Sequence, residues 1–282
     1  MPTFLTIIKL STRLFIVRKI YFTLSLIMLI CFGCEWQLKQ VDERLADSDV
    51  TIERFDRIES HFLTTGDRSA LQQMNTNFPM QTRTLIEDVL KIGHVNDADI
   101  NTTFHTYFQD SILQRMIADV AVEFADMDDV TSQLSAAFSE MKKQLPLVGQ
   151  PTVYTQIGSF DQSIIVGHGT LGISLDKYLG KDYPFYVDNY DAAQRIIMTR
   201  NMIVPDCLSF YLLSQFPPAD NTQQIQQRHL YMGKIQWVVN KLMRRRVFRN
   251  SYVSAIDRYM QQHPDTDYSA LLNRRLWCKN KK

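Results

Sequence analysis

Apolar residues recur every three or four positions through much of the first half of the chain. This spacing places them on one face of an α-helix, and three separate stripes follow it. The stripes are Leu85, Ile86, Val89 and Leu90; then Phe104, Phe108, Ile112, Met116, Ile117, Val120 and Phe124; then Val130, Leu134, Phe138, Met141 and Leu145. Pro146 ends the third stripe, because proline cannot continue a helix. Such stripes could face partners, but the pattern favours core positions of a helical domain.

Two regions have the alternation of apolar and polar residues that is typical of β-strands. Near residue 50, the sequence DVTIERFD places Val50 and Ile52 on one face of a short strand. From residue 150, Val153, Thr155 and Ile157 share a face, and the segments SIIVGHG and TLGISL that follow contain β-branched residues and glycine. These features predict two or three strands of a small sheet, with a tight hairpin in the segment GHGTLG.

Helical patterning returns after the small sheet. Residues 206–216 predict a helix that Asp206 caps at its start and that Pro217-Pro218 ends. A longer helix is predicted from about Thr222 to Arg246. The order of helices, a small sheet and then helices predicts a mostly helical single domain of the α+β class.

An uncharged apolar segment runs from Ile20 to Cys34 near the start of the chain. It falls short of the about twenty apolar residues that a membrane-spanning helix needs. The residues before it are basic, with Lys or Arg at positions 9, 13, 18 and 19 and no acidic residue. A basic region, a short apolar region and a small residue before a cleavage point describe a secretory signal. The pattern therefore favours a signal peptide over residues 1–33, against a spanning anchor and a buried core helix.

Gly33-Cys34 is similar to the end of a bacterial lipobox, in which the cysteine sulfur receives a diacylglycerol and the chain is cut just before it. The usual lipobox has leucine three residues before the cysteine, where this chain has Cys31. Cys34 is the predicted lipidation site. The polar residues 34–49 are the predicted tether between the membrane and the domain. Without cleavage, the apolar segment would serve as the anchor itself.

Charge and composition are typical of a globular protein. The chain has 31 basic and 30 acidic residues, and the predicted signal peptide contains four of the basic ones. This balance argues against nucleic acid as the main partner. A hydrophobic content of 45% supplies a sizeable core. Cys207 and Cys278 could form a disulfide, although two buried or idle thiols are the favoured interpretation.

The motifs of known catalytic sites are missing from the sequence. The six histidines form neither a His-x-x-x-His pair nor a His-Glu-x-x-His motif, and no Gly-x-Ser-x-Gly motif occurs. Asp161, Ser163 and His168 lie close in sequence, but a strand would point His168 to the opposite face. The sequence therefore predicts no catalytic residue, no metal ligand and no cofactor.

The densest basic cluster lies at the end of the longest predicted helix. Its members are Lys241, Arg244, Arg245, Arg246 and Arg249. The cluster could meet acidic lipid headgroups or a protein partner. The favoured interpretation is a solvated helix C-terminus, where cations interact favourably with the helix dipole.

Residues 154–186 carry the most specific sequence pattern of the chain. A tyrosine-containing strand is followed by Phe-Asp-Gln-Ser at residues 160–163 and by Ile-Ser-Leu-Asp-Lys-Tyr-Leu-Gly-Lys-Asp-Tyr-Pro-Phe-Tyr at residues 173–186. This block resembles the gliding-motility lipoprotein family GldB of Bacteroidota-type bacteria. Further matches are IERFD, RNMIVPDCLSFYLLSQFP and MGK, at residues 52–56, 200–217 and 232–234. The resemblance implies that residues 50–282 form one GldB-like domain.

Two features depart from the family pattern. Met232 stands before Gly-Lys, where the family usually has an acidic or aromatic residue. The chain ends at LNRRLWCKNKK, whereas a similar segment leads into further helices in the family, so a shortened domain is expected. The family's fold is also distantly similar to zinc metallopeptidases, and residues 206–216 lie where such an enzyme carries His-Glu-x-x-His. No ligand pair stands there, so the resemblance implies a degenerate peptidase-like scaffold.

The resemblance implies a membrane-anchored lipoprotein of the cell envelope that acts without catalysis. It would be held by its lipid, face the periplasm or the cell surface, and contact other envelope proteins of the gliding-motility or secretion machinery. The candidate interaction surface consists of Asp161, Asp176, Tyr178 and Asp182. The alternative is that Asp176 and Tyr178 only cap and pack the sheet.

Two other functions stay open. A metal-dependent hydrolase or peptidase-like enzyme of the envelope would hold a metal ion, with His168 or His229 among its ligands. A carrier of an apolar ligand would make use of the many phenylalanines and methionines. Metal content and displacement of an apolar probe by lipid would separate these functions from that of a non-catalytic component.

Overall fold

The computed structural model describes residues 49–218 and 225–273 of the chain. The predicted signal peptide, the lipidation site Cys34, nearly all of the tether, Thr222 and Cys278 lie outside these residues. Within them, helical residues greatly outnumber those of one four-stranded sheet. The mostly helical α+β class is therefore confirmed.

The first half of the described chain is mostly helical. The elements are β1 (Ile52–Glu53), α1 (Phe55–Thr65), α2 (Arg68–Asn77), α3 (Pro79–Arg83), a π-helical segment (Thr84–Val89), α4 (Ile100–Tyr107), α5 (Ser111–Glu123) and α6 (Asp128–Gln144). α1 ends at Gly66, whose φ of 69° lies in the left-handed region that commonly terminates helices. Asp67 then caps α2, because its side chain accepts a hydrogen bond from the Ser69 amide at 2.8 Å.

The three predicted stripes are helical, but each takes a different form. The third stripe lies along α6 and is buried. The second stripe is divided between α4 and α5, because Asp110 starts a new helix by accepting from the amides of Ile112 and Leu113. Ile112 is consequently 51% exposed rather than part of the core. The first stripe falls largely in the π-helical segment.

The sheet has the strand order β1-β2-β4-β3. Its other strands are β2 (Thr152–Gln156), β3 (Ile164–Val166) and β4 (Thr170–Ser174). β1, β2 and β4 are parallel, whereas β3 runs antiparallel to β4 and joins it through the predicted hairpin. Gly169 has a φ of 71° in this hairpin, a conformation that favours glycine. The carboxyl ends of β1, β2 and β4 therefore meet at one edge of the sheet, here termed the carboxyl edge.

Helices return after the sheet. They are a 3₁₀ turn (Leu175–Lys177), α7 (Pro184–Asn189), α8 (Ala192–Arg195), a second 3₁₀ turn (Arg200–Met202), α9 (Ile203–Gln215), α10 (Ile225–Leu242), α11 (Ser251–Gln262) and α12 (Tyr268–Asn273). α9 is largely apolar and packs against β3, β4, α6 and α10. Among the described residues, no helix combines the length and apolar character needed to cross a membrane.

The predicted start of α9 is wrong. The helix begins at Ile203 with Met202 at its N-cap, and Asp206 lies inside the first turn. Pro205 does not prevent this earlier start, because the amides of a first helical turn need no partner within the helix. Asp206 is not a cap and is available for a tertiary contact. Cys207, the next residue of α9, is a buried free thiol.

Candidate functional site at the carboxyl edge

Three acidic side chains lie buried at the carboxyl edge. Asp56 and Glu59 come from α1, which follows β1, and Asp176 comes from the 3₁₀ turn that follows β4. Their exposed fractions are 2%, 0% and 0%. Burial of a charge is costly unless the charge has hydrogen-bond or ionic partners. The partners of these three carboxylates therefore define what the site does.

Asp56 has both charged and neutral partners. Arg54 donates to its two oxygens as a bidentate pair, with both N···O distances 2.8 Å. The same guanidinium donates to the carbonyl oxygen of Phe124 at 2.8 Å. The hydroxyl of Thr155, on β2, also donates to Asp56. Asp56 and its partners thereby connect α1 with β2 and with the end of α5.

Glu59 is less completely satisfied. One carboxyl oxygen accepts from the Ile157 amide at 2.9 Å, whereas the other has no hydrogen-bond partner among the described residues. Burial raises the pKa of Glu59 well above its usual value, and the charges of Asp56 and Asp176 add to the shift against the opposing Ile157 hydrogen bond. Burial therefore disfavours the charged form of Glu59 more than its single hydrogen bond favours it.

Asp176 holds the loop that follows β2. Its two oxygens accept from the amides of Gly158 and Phe160, at 2.7 and 2.5 Å. Burial raises the pKa of Asp176, and these two hydrogen bonds oppose the shift. Residues 158–163 are termed the edge loop. A buried side chain from the 3₁₀ turn after β4 thus fixes the first turn of the edge loop.

Two consecutive residues of the edge loop have left-handed backbone. The φ angles are 55° at Ser159 and 64° at Phe160. Residues other than glycine rarely adopt this conformation, which costs about 1–3 kcal/mol per residue. The two hydrogen bonds of Asp176 hold the amide just before this pair and the amide of Phe160 within it, so the buried carboxylate stabilises the strained backbone. Gly158 is constrained in another way, since a Cβ there would lie 2.8 Å from the Ser174 Oγ.

An aromatic cluster supports the edge loop from another side. Phe160 stacks on Phe185 with ring centroids 3.9 Å apart and meets Tyr186 edge to face. The Lys177 ammonium donates to the carbonyl oxygen of Phe160 at 2.9 Å and lies over the Tyr190 ring. Both the backbone and the side chain of Phe160 are therefore held in place.

The outer part of the edge loop faces solvent. Asp161 is exposed, and the Ser159 hydroxyl forms a hydrogen bond with the exposed Tyr107 hydroxyl at 3.0 Å. Asp182, another member of the predicted interaction surface, is also exposed. Of the predicted interaction surface, Asp161 and Asp182 are therefore exposed. Asp161 lies on the edge loop, and Asp182 lies outside it.

Asp176 and Tyr178 are buried, at 0% and 1% exposed, which corrects the prediction that they contribute to an interaction surface. Their positions correspond to the stated alternative, in which they cap and pack the sheet. The physical reason is that Asp176 turns inward to the edge-loop amides, while Tyr178 enters the core beside α9. The sequence pattern could not distinguish these inward contacts from surface positions.

Tyr178 connects the carboxyl edge with α9. Its hydroxyl donates to Asp206 at 2.9 Å. Burial raises the pKa of Asp206 to about 7, and the Tyr178 hydrogen bond opposes the shift. Burial also raises the pKa of the Cys207 thiol, and the charge of Asp206 adds to that shift. The thiol is therefore protonated and a poor nucleophile.

Sequence reasoning missed the two acidic residues of α1. A signal for one of them was present, because Glu59 lies four residues after Phe55 and three before Phe62. Residues at this spacing share one helix face, and this face is buried. A charged residue on an apolar helix face is expected to be buried with a partner. Asp56 gave no comparable signal, since it depends on Arg54 and on Thr155 from a distant strand.

The two histidines that were considered as metal ligands are both exposed. His168 lies in the hairpin between β3 and β4, and His229 lies on α10, where its ring forms a hydrogen bond with the Tyr252 hydroxyl at 3.3 Å. In the part of the chain that the structure describes, no group of three or more His, Cys, Asp or Glu side chains is placed to hold a metal ion. Nothing in that part supports the peptidase-like scaffold that the resemblance implied.

The fold and the carboxyl edge define a mostly helical α+β domain in which buried carboxylates hold a surface loop. A lipoprotein family model described as gliding motility protein GldB matches residues 37–246, about three quarters of the chain. The chain belongs to this family, as its sequence motifs predicted, and family membership associates it with gliding motility. No curated protein and no solved structure matches the chain.

Proposed function

We propose that this protein is a lipid-anchored, non-catalytic component of the cell envelope that presents the edge loop to a protein partner of the gliding-motility or secretion machinery. Family membership supports the association with motility. The observation that carries the proposal is the construction of the edge loop. A buried carboxylate holds two strained residues in place, directly beside an exposed acidic side chain.

The environment of the buried carboxylates supports a structural role for them. Asp56, Glu59 and Asp176 are at most 2% exposed, and each accepts hydrogen bonds from a backbone amide or a neighbouring side chain. A general acid or base must come within about 3 Å of the proton that it transfers. Burial and these hydrogen bonds therefore support a role of Asp56 and Asp176 in the fold.

A loop that is already ordered is well suited to recognition. Ordering flexible side chains during binding costs about 0.5–1.5 kcal/mol for each one, and a preformed surface avoids part of this cost. Phe160 is fixed before any partner arrives, and Asp161 beside it offers an exposed carboxylate. Ser159 and Tyr107 add hydroxyl groups. This surface suits a protein partner that presents cationic or other hydrogen-bond donors.

Cys34 supplies the proposed attachment to the membrane. One acyl chain binds a membrane weakly, whereas several chains hold a protein durably. The test is palmitate labelling of the full chain in a lipidating bacterial host, beside a Cys34→Ser variant. We expect label in the parent and none in the variant. A stably expressed parent without label would contradict the anchor and would indicate that Cys31 spoils the lipobox.

A charge reversal on the edge loop tests the proposed recognition surface. We expect Asp161→Lys to reduce the recovery of cross-linked partner proteins from membranes at least tenfold. The new lysine would repel the partner's cationic groups and could not accept hydrogen bonds from its donors. In a gliding host that depends on this protein, the same variant is expected to stop movement.

Asp265→Lys is the matched control, because Asp265 is also exposed and lies between α11 and α12, outside the carboxyl edge. It is expected to leave partner recovery and movement intact. The proposal fails if both variants behave alike while their thermal stability equals that of the parent.

A further inference from the structure

A basic groove lies between the end of α10 and α11, on elements other than those of the carboxyl edge. Its volume is about 1160 Å³, and Asp257 is the one acidic residue of its described lining. Trp237, Phe248 and Val253 supply apolar surface. Six cationic side chains line it: Lys241, Arg244, Arg245, Arg246, Arg249 and Arg258.

The loop that carries most of these cations has a fixed shape. Asn240, only 8% exposed, donates to the carbonyl oxygen of Phe248 at 2.9 Å. The side-chain oxygen of Asn240 accepts from the amides of Val247 and Phe248 at 2.8 and 2.9 Å. Arg244 adopts a φ of 51° where the loop leaves α10. The groove is therefore preformed by a buried polar side chain, and it is more than the solvated helix end expected from the sequence.

Part of the positive charge in the groove is not neutralised by the protein. Arg244 pairs with Glu140 at 2.8 Å, and Lys241 pairs with Asp257 at 3.4 Å. Arg246 also interacts electrostatically with Asp257. The other arginines of the groove form no ion pair with an acidic residue of segments 49–218 and 225–273: Arg245, Arg249 and Arg258. Because the net charge of the chain is only +1, this excess is local. The groove therefore attracts anions while the protein as a whole does not.

We infer that the groove binds the phosphate-bearing headgroups of anionic lipids at the surface of a membrane. Guanidinium groups bind phosphate oxygens through paired hydrogen bonds. The half-buried ring of Phe248 suits the glycerol and upper acyl part of a lipid, which inorganic phosphate lacks. Each Lys or Arg near an anionic membrane adds to the electrostatic attraction. The inference rests on the proposed anchor, which keeps headgroups at a high local concentration.

Hydrogen exchange of the full chain in lipid nanodiscs tests the inference at the groove itself. The chain is placed in nanodiscs of phosphatidylcholine alone or of phosphatidylcholine with phosphatidylglycerol. We expect exchange of residues 243–250 to slow at least threefold in the anionic nanodiscs, and this protection to weaken as NaCl is raised. Equal exchange in the two compositions would overturn the inference.

A matched pair of double variants separates the groove from general charge. Arg246→Gln with Arg249→Gln is expected to remove the protection, because both side chains line the groove. Arg68→Gln with Arg83→Gln removes the same charge from exposed positions on α2 and α3 and is expected to keep it. Loss of protection in both double variants would mean that net charge, rather than the groove, governs the effect.

Other anions provide further outcomes. If inorganic phosphate or glycerol phosphate in phosphatidylcholine nanodiscs protects residues 243–250 as well as phosphatidylglycerol does, the groove is a site for free phosphates. If polyglutamate does so, the groove is a site for acidic proteins. Either result overturns the lipid assignment.

The proposed lipid anchor and the proposed lipid-binding groove are tested by separate measurements. Retention of the chain on the nanodisc during gel filtration reports the anchor, whereas exchange of residues 243–250 reports the groove. If the chain is not retained, dihexanoyl-phosphatidylglycerol and dihexanoyl-phosphatidylcholine are compared on the chain in neutral detergent. Equal exchange with these two short-chain lipids would also overturn the inference.

Discussion

The carboxyl edge and the basic groove use charged residues in opposite ways. At the edge, three carboxylates are buried, and groups of the protein itself bind them. In the groove, several arginines stay exposed, while the uncharged Asn240 holds the backbone. Burial makes a charge costly unless it is paired, so the buried charges fix structure and the exposed ones stay available for a ligand. Substitutions of the buried carboxylates should therefore change stability, and substitutions of the exposed groove arginines should change binding.

The largest effect is expected from Asp176→Ala. Removal of this carboxylate leaves the amides of Gly158 and Phe160 without a partner in a strained loop, so the free energy of unfolding should fall by about 3–4 kcal/mol. Urea denaturation measures the change. Asp182→Ala, six residues away and exposed, should change it by less than about 0.5 kcal/mol.

Asp176→Asn serves as a second variant if Asp176→Ala does not fold. Its side-chain oxygen still accepts one hydrogen bond, so it should lie between the parent and Asp176→Ala in stability. A loss below about 1 kcal/mol in both Asp176 variants would contradict the assigned role of this carboxylate.

A pH-dependent effect is expected from Asp206→Asn. Burial raises the pKa of Asp206 from 3.8 to about 7, so the folded protein keeps a proton that the unfolded chain releases above pH 4. The stability that this proton contributes is complete below pH 4 and is lost as the pH rises to about 7.

Asparagine does not titrate, so Asp206→Asn should become more stable relative to the parent as the pH rises from 5 to 8. The difference between the two free energies of unfolding should change on the order of 2 kcal/mol over this range. Urea denaturation at a series of pH values measures it. Parallel profiles of the two proteins would show that Asp206 does not control this pH dependence.

A steric effect is expected from Gly158→Ala. The added Cβ would lie 2.8 Å from the Ser174 Oγ and 3.2 Å from the Ser174 Cβ, so the edge loop must shift. Overpacking of this kind costs about 1–2 kcal/mol, measured by thermal or urea denaturation. Gly149→Ala is the control, because nothing lies within 4 Å of a Cβ there. Equal stability of the two variants would argue against close packing of the loop on β4.

The smallest effect on stability is expected from the double variant Arg246→Gln with Arg249→Gln. Both side chains are exposed, and Arg249 forms no ion pair within the described residues, so the free energy of unfolding should change by less than about 0.5 kcal/mol. Denaturation in urea measures it, with the parent as the reference. A loss above about 1 kcal/mol would mean that the groove, like the edge, uses its charges to hold the fold.

Local pattern predicted the elements of the fold better than their tertiary roles. The stripe of α6, the two or three strands expected after residue 150 and the hairpin were readable because each depends on neighbours in sequence. The division between α4 and α5 was missed, since the cap at Asp110 competes with an apolar pattern that continues across it.

Asp176 and Tyr178 were placed on the surface because their partners, Phe160 and Asp206, come from other elements. The basic cluster was recognised from sequence, whereas its groove depends on contacts of Asn240 with the loop after α10.

The parallel pairing of β1 with β2 has a consequence for the order of folding. Ile52 lies opposite Val153, so this pair closes a chain loop of roughly 100 residues, a slow step because of its entropy. The helices between the two strands can form earlier from local contacts. During synthesis from the N-terminus, Asp56 and Glu59 emerge well before β2 and β4 exist to cover them. Until then these two carboxylates are hydrated, and their negative charge favours solubility of the unfinished chain over association.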